Sequence, residues 1–250
     1  MKKFSLNWFI ISSFLFMMAT TSLLKVSAQD EGSGFKGKIY CISGLGADYS
    51  VFKKLFIEHY ELVPVHWAPF DLNDNLSTYA RKLAVQIDDK NAIIIGLSFG
   101  GMLAVEIAKQ QPTRKIFIIS SAKTFSGLRM PGGGVVRWLF KTKILPARCY
   151  TIPNRVAFDY FGAKTPEEKQ LLRAVMRASD GRLMKWALKK LLTWENKTCP
   201  ENVIHIHGTA DRIIPSAIVN PDYWIEGGTH IMVYNRADEI SKIISDCLSR

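Results

Sequence analysis

The sequence predicts the α/β class: a mostly parallel, doubly wound sheet of about six strands, with a helical lid inserted late in the chain. Three observations carry this expectation. From residue 37 onward, short apolar runs alternate with stretches whose apolar residues recur at helical spacing. That is the pattern of a parallel sheet covered on both faces. One apolar run, Ile93-Ile94-Ile95-Gly96-Leu97, passes through Ser98 into a helical pattern with no loop between them. Residues 124–200 then break the alternation, with several helical stretches and no obvious strand.

Taken in order, residues 1–28 read as a secretory signal peptide. Lys2 and Lys3 form a basic start, Trp8 to Leu24 is mostly apolar, and Val26-Ser27-Ala28 fits a small-residue cleavage site before Gln29. The competing reading is an uncleaved N-terminal membrane anchor. Polar Ser12, Ser13, Thr20, Thr21 and Ser22 interrupt the apolar run and favour cleavage. The expected location is therefore outside the cytoplasm, periplasmic or secreted. Residues 29–36 follow as a flexible lead-in. Residues 37–250 form the folded domain, with the lid at about 124–200.

Within that domain Lys38–Ser43 is the first expected strand, and Tyr49–Ile57 has helical spacing. Leu62–Trp67 is the second strand. Leu76–Ile87 is an amphipathic helix, with Leu76, Tyr79, Ala80, Leu83, Ala84 and Ile87 on one face. Ala92–Gly96 is the third strand, and the helix over Gly100–Gln110 ends before Pro112. Lys115–Ser120, Val203–His207 and Tyr223–Glu226 complete the strands, and Ala237–Leu248 is the closing helix. In the insert, Thr165-Pro166-Glu167-Glu168 marks a helix start: a cap residue, proline at the first position, acids in the first turn. Asp180-Gly181 ends that helix. Leu183, Trp186, Ala187, Leu191 and Trp194 share a face of the next.

Composition narrows the partners. The formal net charge is +11; removing residues 1–28 takes away Lys2, Lys3 and Lys25 and no acid, leaving 11 − 3 = +8. A basic balance suits weak association with anionic lipid or polysaccharide, although a solvated basic surface is the simpler account. There is no nucleic-acid motif and no dense basic run. Cys41, Cys149, Cys199 and Cys247 lack metal-ligand spacing. Cys149 and Cys199, near the two ends of one inserted segment, are the first candidates for a bridge in an exported protein, while Cys41 reads as a buried strand residue. Spacing alone does not fix the connectivity, and the sequence leaves the oligomeric state open.

The chemistry centres on Gly96-Leu97-Ser98-Phe99-Gly100. A strand that becomes a helix with no loop forces unusual backbone angles on its central residue, and the flanking glycines relieve the crowding. The serine hydroxyl is then presented above the sheet edge, at a helix N-terminus that favours negative charge. Such a serine needs a base, and the base an orienting acid. Asp211 lies in the loop after the Val203–His207 strand, and His230 in the Gly-rich loop before the last helix. The order Ser98…Asp211…His230 is that of an α/β nucleophile elbow with its acid and base. His230 is expected to accept the serine proton, and Asp211 to fix its tautomer. His205 and His207 read as structural groups behind Asp211. The two oxyanion-hole amides are expected at Phe99, directly after the serine, and at Leu45 in Ser43-Gly44-Leu45-Gly46.

SGLGAD (43–48), GLSFGG (96–101), HGTADRIIP (207–215) and GGTH (227–230) together resemble the α/β-hydrolase superfamily, in a compact serine-esterase-like form, over about residues 37–249. Two features depart from the usual pattern: Ser43-Gly44 stands where His-Gly is common, and one or two leading strands are missing. The resemblance implies hydrolysis of an ester, thioester or amide of a small acyl substrate through a serine-bound acyl intermediate. It implies no metal or organic cofactor. The same scaffold also hosts acyltransferases, C–C hydrolases and lyases, and a non-catalytic binding protein is a third reading. In the lid, Phe125, Trp138, Phe140, Phe158, Phe161, Trp186 and Trp194 either line an apolar acyl pocket or pack the lid onto the core. Lys141, Lys143, Arg148, Lys185, Lys189 and Lys190 either meet an acidic substrate or membrane or form a solvated face.

Overall fold

The computed structural model describes residues 36–124 and 151–250. The expected signal peptide, most of the lead-in, and the insert residues Phe125, Trp138, Phe140, Lys141, Lys143, Arg148 and Cys149 lie outside the described residues.

Six strands form one sheet: β1 (Gly37–Ile42), β2 (Tyr60–Val65), β3 (Ile93–Leu97), β4 (Lys115–Ile119), β5 (Val203–Gly208) and β6 (Tyr223–Ile225). Their order is β2-β1-β3-β4-β5-β6, and every neighbouring pair is parallel. Parallel neighbours need crossovers, and the helices supply most of them. They are α1 (Leu76–Ala84), α2 (Phe99–Ala108), α3 (Arg155–Phe161), α4 (Pro166–Ala178), α5 (Gly181–Leu192), α6 (Met232–Asn235) and α7 (Ala237–Leu248). All the expected strands form.

The two-residue period of the strands divides the core into two layers. Tyr40, Ile42, Ile94, Ile116 and Ile118 join the apolar cluster of α1 and α2 on one face. Ile39, Cys41, Ile93, Ile95, Phe117 and Ile119 join the cluster of α6 and α7 on the other. Because both faces are covered, β3 is buried along its whole length, which explains its unbroken apolar reading. At roughly 25 cal/mol per Å² of apolar surface removed from water, this double layer is the main source of the fold's stability.

The order reverses between β1 and β3: the chain moves outward to β2, then returns to the other side of β1. Loops after adjacent strands diverge at such a point and leave a crevice at the strands' carboxyl ends. The loop after β1 and the Ser98 turn after β3 border that crevice.

Three expectations are corrected. Tyr49–Ile57 is not a helix. It holds one 3-10 turn at Tyr49–Phe52, capped by Asp48, whose carboxylate accepts from the Ser50 amide at 2.9 Å. Val51, Phe52, Leu55 and Ile57 are buried all the same, because the loop lies flat on the sheet; burial, not helicity, set their spacing. The helix from Leu76, with Asn75 and Thr78 forming its capping box, ends at Ala84, although Ile87 beyond it is buried. Cys199 is a free thiol, half-buried against the α1/α2 cluster rather than bridged.

The insert is helical where described, but it is no detached cover. Leu183, Trp186 and Ala187 of α5, together with Trp194, belong to the α1/α2 cluster, while Val175 of α4 belongs to the opposite one. The Trp186 ring lies 4.8 Å from Tyr79 and 5.3 Å from Phe70, centroid to centroid. Trp194 Nε1 donates to buried Glu106 Oε1 at 2.8 Å. Of the alternatives for these two tryptophans, the core reading holds.

Candidate active site

Ser98 sits between β3 and α2 with φ 52° and ψ −119°. A non-glycine residue at positive φ stores strain and persists only where its surroundings hold it. Here one main-chain bond and one side-chain bond supply the hold. The Ser98 amide donates to the Ile119 carbonyl at 2.9 Å, and Ser121 Oγ donates to the Ser98 carbonyl at 2.7 Å. The glycines are required by close approach rather than by φ. A Cβ on Gly96 would stand 2.6 Å from the Gly100 carbonyl oxygen, and one on Gly100 would collide with the Ser43 carbonyl. Ser98 precedes the first residue of α2, where a serine often caps the helix, yet its side chain makes no capping bond. The hydroxyl is thereby left for another partner.

That partner is His230. Its Nε2 lies 3.0 Å from Ser98 Oγ, and its Nδ1 lies 2.8 Å from Asp211 Oδ2. An ionised carboxylate only accepts, so Nδ1 carries the proton that faces Asp211. In the neutral ring Nε2 is then bare and accepts from the serine hydroxyl. Asp211 and His230 are both about 95% buried, with 4% and 5% of their surface exposed. Burial pushes the Asp211 carboxyl up. The His230 charge and hydrogen bond, the Ile214 amide and the charge of His207 outweigh it and hold the carboxyl below its ordinary value. Asp211 Oδ1 accepts from the Ile213 and Ile214 amides, both at 2.9 Å.

The two loops that carry these side chains are tied together. Thr209 N–H donates to Ile225 O at 3.0 Å and Ala210 N–H to Gly228 O at 2.9 Å. Gly208 lacks a Cβ where one would strike the Gly228 carbonyl. Close approach thus explains Gly208 and Gly228, while Gly227 is fixed by its φ of 68°.

The loop after β1 lies beside the serine: a Cβ on Gly44 would be in ordinary contact with Ser98 Cβ at 3.5 Å. Ser43 Oγ donates to Ala47 O at 2.6 Å and Ala47 N–H to Gly44 O at 2.8 Å, closing a tight turn around Leu45. Neither the Leu45 nor the Phe99 amide donates to an acceptor among the described residues. The Phe99 amide opens α2, where the helix dipole adds positive potential.

Sequence reasoning missed how the insert grips this site. The Phe161 ring meets the His230 ring edge-on at 5.4 Å. Gly162, at φ 79°, ends α3 against Thr229, the residue before His230. Arg212, next to Asp211, pairs with Asp159 of α3 at 2.6 Å and covers the Tyr160 ring. Ser179 Oγ, between α4 and α5, lies 2.8 Å from the Gly46 carbonyl of the β1 loop. The insert therefore touches the serine's flanking loop, the Asp loop and the His loop. An isolated Gly162 after a helix is the one sequence signal that marked such a contact.

The family model described as the alpha/beta hydrolase family matches residues 39–243, well over half of the chain. The chain belongs to the alpha/beta hydrolase family. Several solved structures share its fold. An esterase from Exiguobacterium antarcticum has 14% identity, covers 88% of this chain and 93% of its own, and superposes with a TM-score of 0.63. A thermophilic esterase from Thermogutta terrifontis has 13% identity, covers 87% and 91%, with a TM-score of 0.62. An N-acyl homoserine lactonase complexed with N-hexanoyl homoserine lactone has 15% identity, covers 88% and 91%, with a TM-score of 0.61. No curated protein matches the chain significantly by sequence. At these identities the structural likeness speaks for this family member's fold, and its chemistry rests on its own residues.

Proposed function

We propose that the protein is a serine hydrolase that cleaves a carboxylic ester or a related acyl bond through an acyl-enzyme on Ser98. One observation carries the reading: the unbroken Asp211–His230–Ser98 hydrogen-bond chain at a strained strand-to-helix turn. Ser98 Oγ attacks the carbonyl carbon while its proton passes to His230 Nε2. The resulting imidazolium is stabilised by Asp211. The oxyanion is received by the amides of Phe99 and Leu45. Collapse expels the alcohol, which takes the proton from His230. Water then repeats the sequence in reverse, and the acid is released.

The test is hydrolysis of a p-nitrophenyl ester series, short to long acyl chain, with Ser98→Ala alongside. Activity that disappears in the variant supports the reading, and the optimal chain length sizes the acyl pocket. Equal activity in both proteins would remove Ser98 from the mechanism. Transfer of the acyl group to an added alcohol in preference to water would move the assignment to an acyltransferase. The signal-peptide pattern of residues 1–28 adds export to this proposal; the intact mass of the protein recovered from its host is expected to match a chain that begins at Gln29.

A further inference from the structure

His205 and His207 lie two apart on β5, so their side chains fall on one face of the sheet. The proposed mechanism uses neither. Both are buried, with 1% and 0% exposure. Buried imidazoles are costly unless each nitrogen is accounted for. His207 Nε2 lies 2.9 Å from the Ile214 carbonyl oxygen. A carbonyl only accepts, so Nε2 carries a proton. Nδ1 of the neutral His207 ring then faces His205 Nε2 at 3.1 Å, and the Ser121 backbone is the other hydrogen-bond partner of the His205 ring. The Ile214 carbonyl thus sets the tautomer of His207.

This hydrogen-bonded series ends at Ile214. Residue 214 is fastened at both of its polar groups: its carbonyl by His207, its amide by Asp211 Oδ1. The His207 Nε2 atom also stands 3.7 Å from Asp211 Oδ2, the oxygen that faces His230. That distance is too long for a hydrogen bond but leaves no room for water on that side. Burial holds the His207 imidazole below its ordinary pKa, against the pull of the Ile214 carbonyl and the Asp211 charge, with His230 adding to the lowering. Around His205 the charged neighbours are Lys123 and Asp222, and the Asp222 carboxylate accepts from the His205 backbone amide at 2.6 Å. The Trp224 ring of β6 closes the edge of His207 at 6.0 Å.

We propose that His207 is a positioning residue for Asp211. It pins the 211–214 turn through the Ile214 carbonyl and walls off Oδ2, so that the carboxylate keeps its aim at His230. The inference rests on the proposed serine hydrolysis.

The experiment compares His207→Leu and His207→Gln with the unchanged protein on one p-nitrophenyl ester, with melting temperatures recorded for each. A misaimed acid lowers kcat and spares substrate binding. The leucine variant is expected to lose on the order of 10- to 100-fold in kcat with KM little changed. Glutamine, whose side-chain NH2 reaches toward Ile214 O, is expected to recover most of the loss. A folded leucine variant with unchanged kcat would overturn the proposal, as would a glutamine variant impaired as deeply as leucine. Nitrogen-15 spectra of the histidines in the unchanged protein give a reading that needs no variant to fold: His207 protonated at Nε2 agrees, and protonation at Nδ1 overturns it. Activity that survives in Ser98→Ala would instead sink the hydrolase reading, and the spectra would still judge the His207 tautomer by itself.

Discussion

The Ser98 turn and the insert both border the same crevice, but different forces fix them. The turn is held mostly through its main chain: the Ser98 amide on the Ile119 carbonyl, the Ser98 carbonyl taken by the Ser121 hydroxyl, and glycines pressed against carbonyls at Gly96 and Gly100. Few substitutions leave that arrangement intact. The insert reaches the site through side chains and helix ends: Phe161 on His230, Gly162 on Thr229, Arg212 with Asp159, Ser179 on Gly46. Apart from Gly162, whose φ of 79° and close approach to Thr229 require glycine, such contacts tolerate exchange one at a time. Reactive geometry is thus built on rigid elements, and the surroundings are left to parts that can vary.

The comparison breaks first if the machinery behind Ser98 is not what sets the rate. Asp211→Asn keeps the shape of the loop but removes the charge that orients His230. Its kcat is expected to fall about ten-thousand-fold with the fold retained, as steady-state kinetics and circular dichroism would record. A drop of only a few-fold would mean that another group orients the histidine.

The second challenge is aimed at the insert. As core, Trp186 packed on Tyr79 and Phe70 makes Trp186→Ala cost about 3–5 kcal/mol in denaturant unfolding. If instead it lined an acyl pocket, the variant would unfold normally and shift its preference toward longer acyl chains.

Acid sharpens the contrast from the sheet side. Burial, aided by the charges of His207 and Lys123, lowers the His205 pKa from the ordinary 6.5 to about 3. The unfolded chain therefore takes up a proton first. The stability from a neutral His205 is fully present above about pH 6.5, and it is lost as the pH falls toward about 3. Melting temperatures across that range are expected to fall, and His205→Phe, which cannot titrate, to flatten the curve. A curve that keeps its slope in that variant would place the acid sensitivity elsewhere.

The smallest effect belongs to the exposed ion pair. Arg212 and Asp159 are both largely solvent-exposed, with side-chain exposures of 52% and 67%. Asp159→Asn is expected to cost under about 1 kcal/mol and to leave kcat nearly unchanged. A large loss of kcat would show that α3 does more than border the site.

The same division governs what the sequence disclosed. Strands β1, β3, β4 and β5 were legible because parallel strands buried on both faces read as short apolar runs, and Ser98 because close backbone contacts admit only glycine at 96 and 100. Asp211 and His230 were legible from their order after strands. The insert was not. Trp186 and Trp194 sit on amphipathic stretches whose partners are remote in sequence, so spacing showed that they bury a face without showing against what. Tyr49–Ile57 misled for a related reason: a loop pressed on a sheet buries residues at intervals that mimic a helix. Arg212 follows Asp211 in sequence, yet its carboxylate partner is Asp159, a contact that only the fold creates.

The most direct measurement is covalent labelling by a fluorophosphonate, read by intact mass and peptide mapping. Phosphonylation requires a serine activated by a neighbouring base. The account predicts one adduct per chain, located on Ser98, absent from Ser98→Ala and strongly slowed in His230→Ala. An unlabelled native protein, or an adduct that persists in Ser98→Ala, would contradict it.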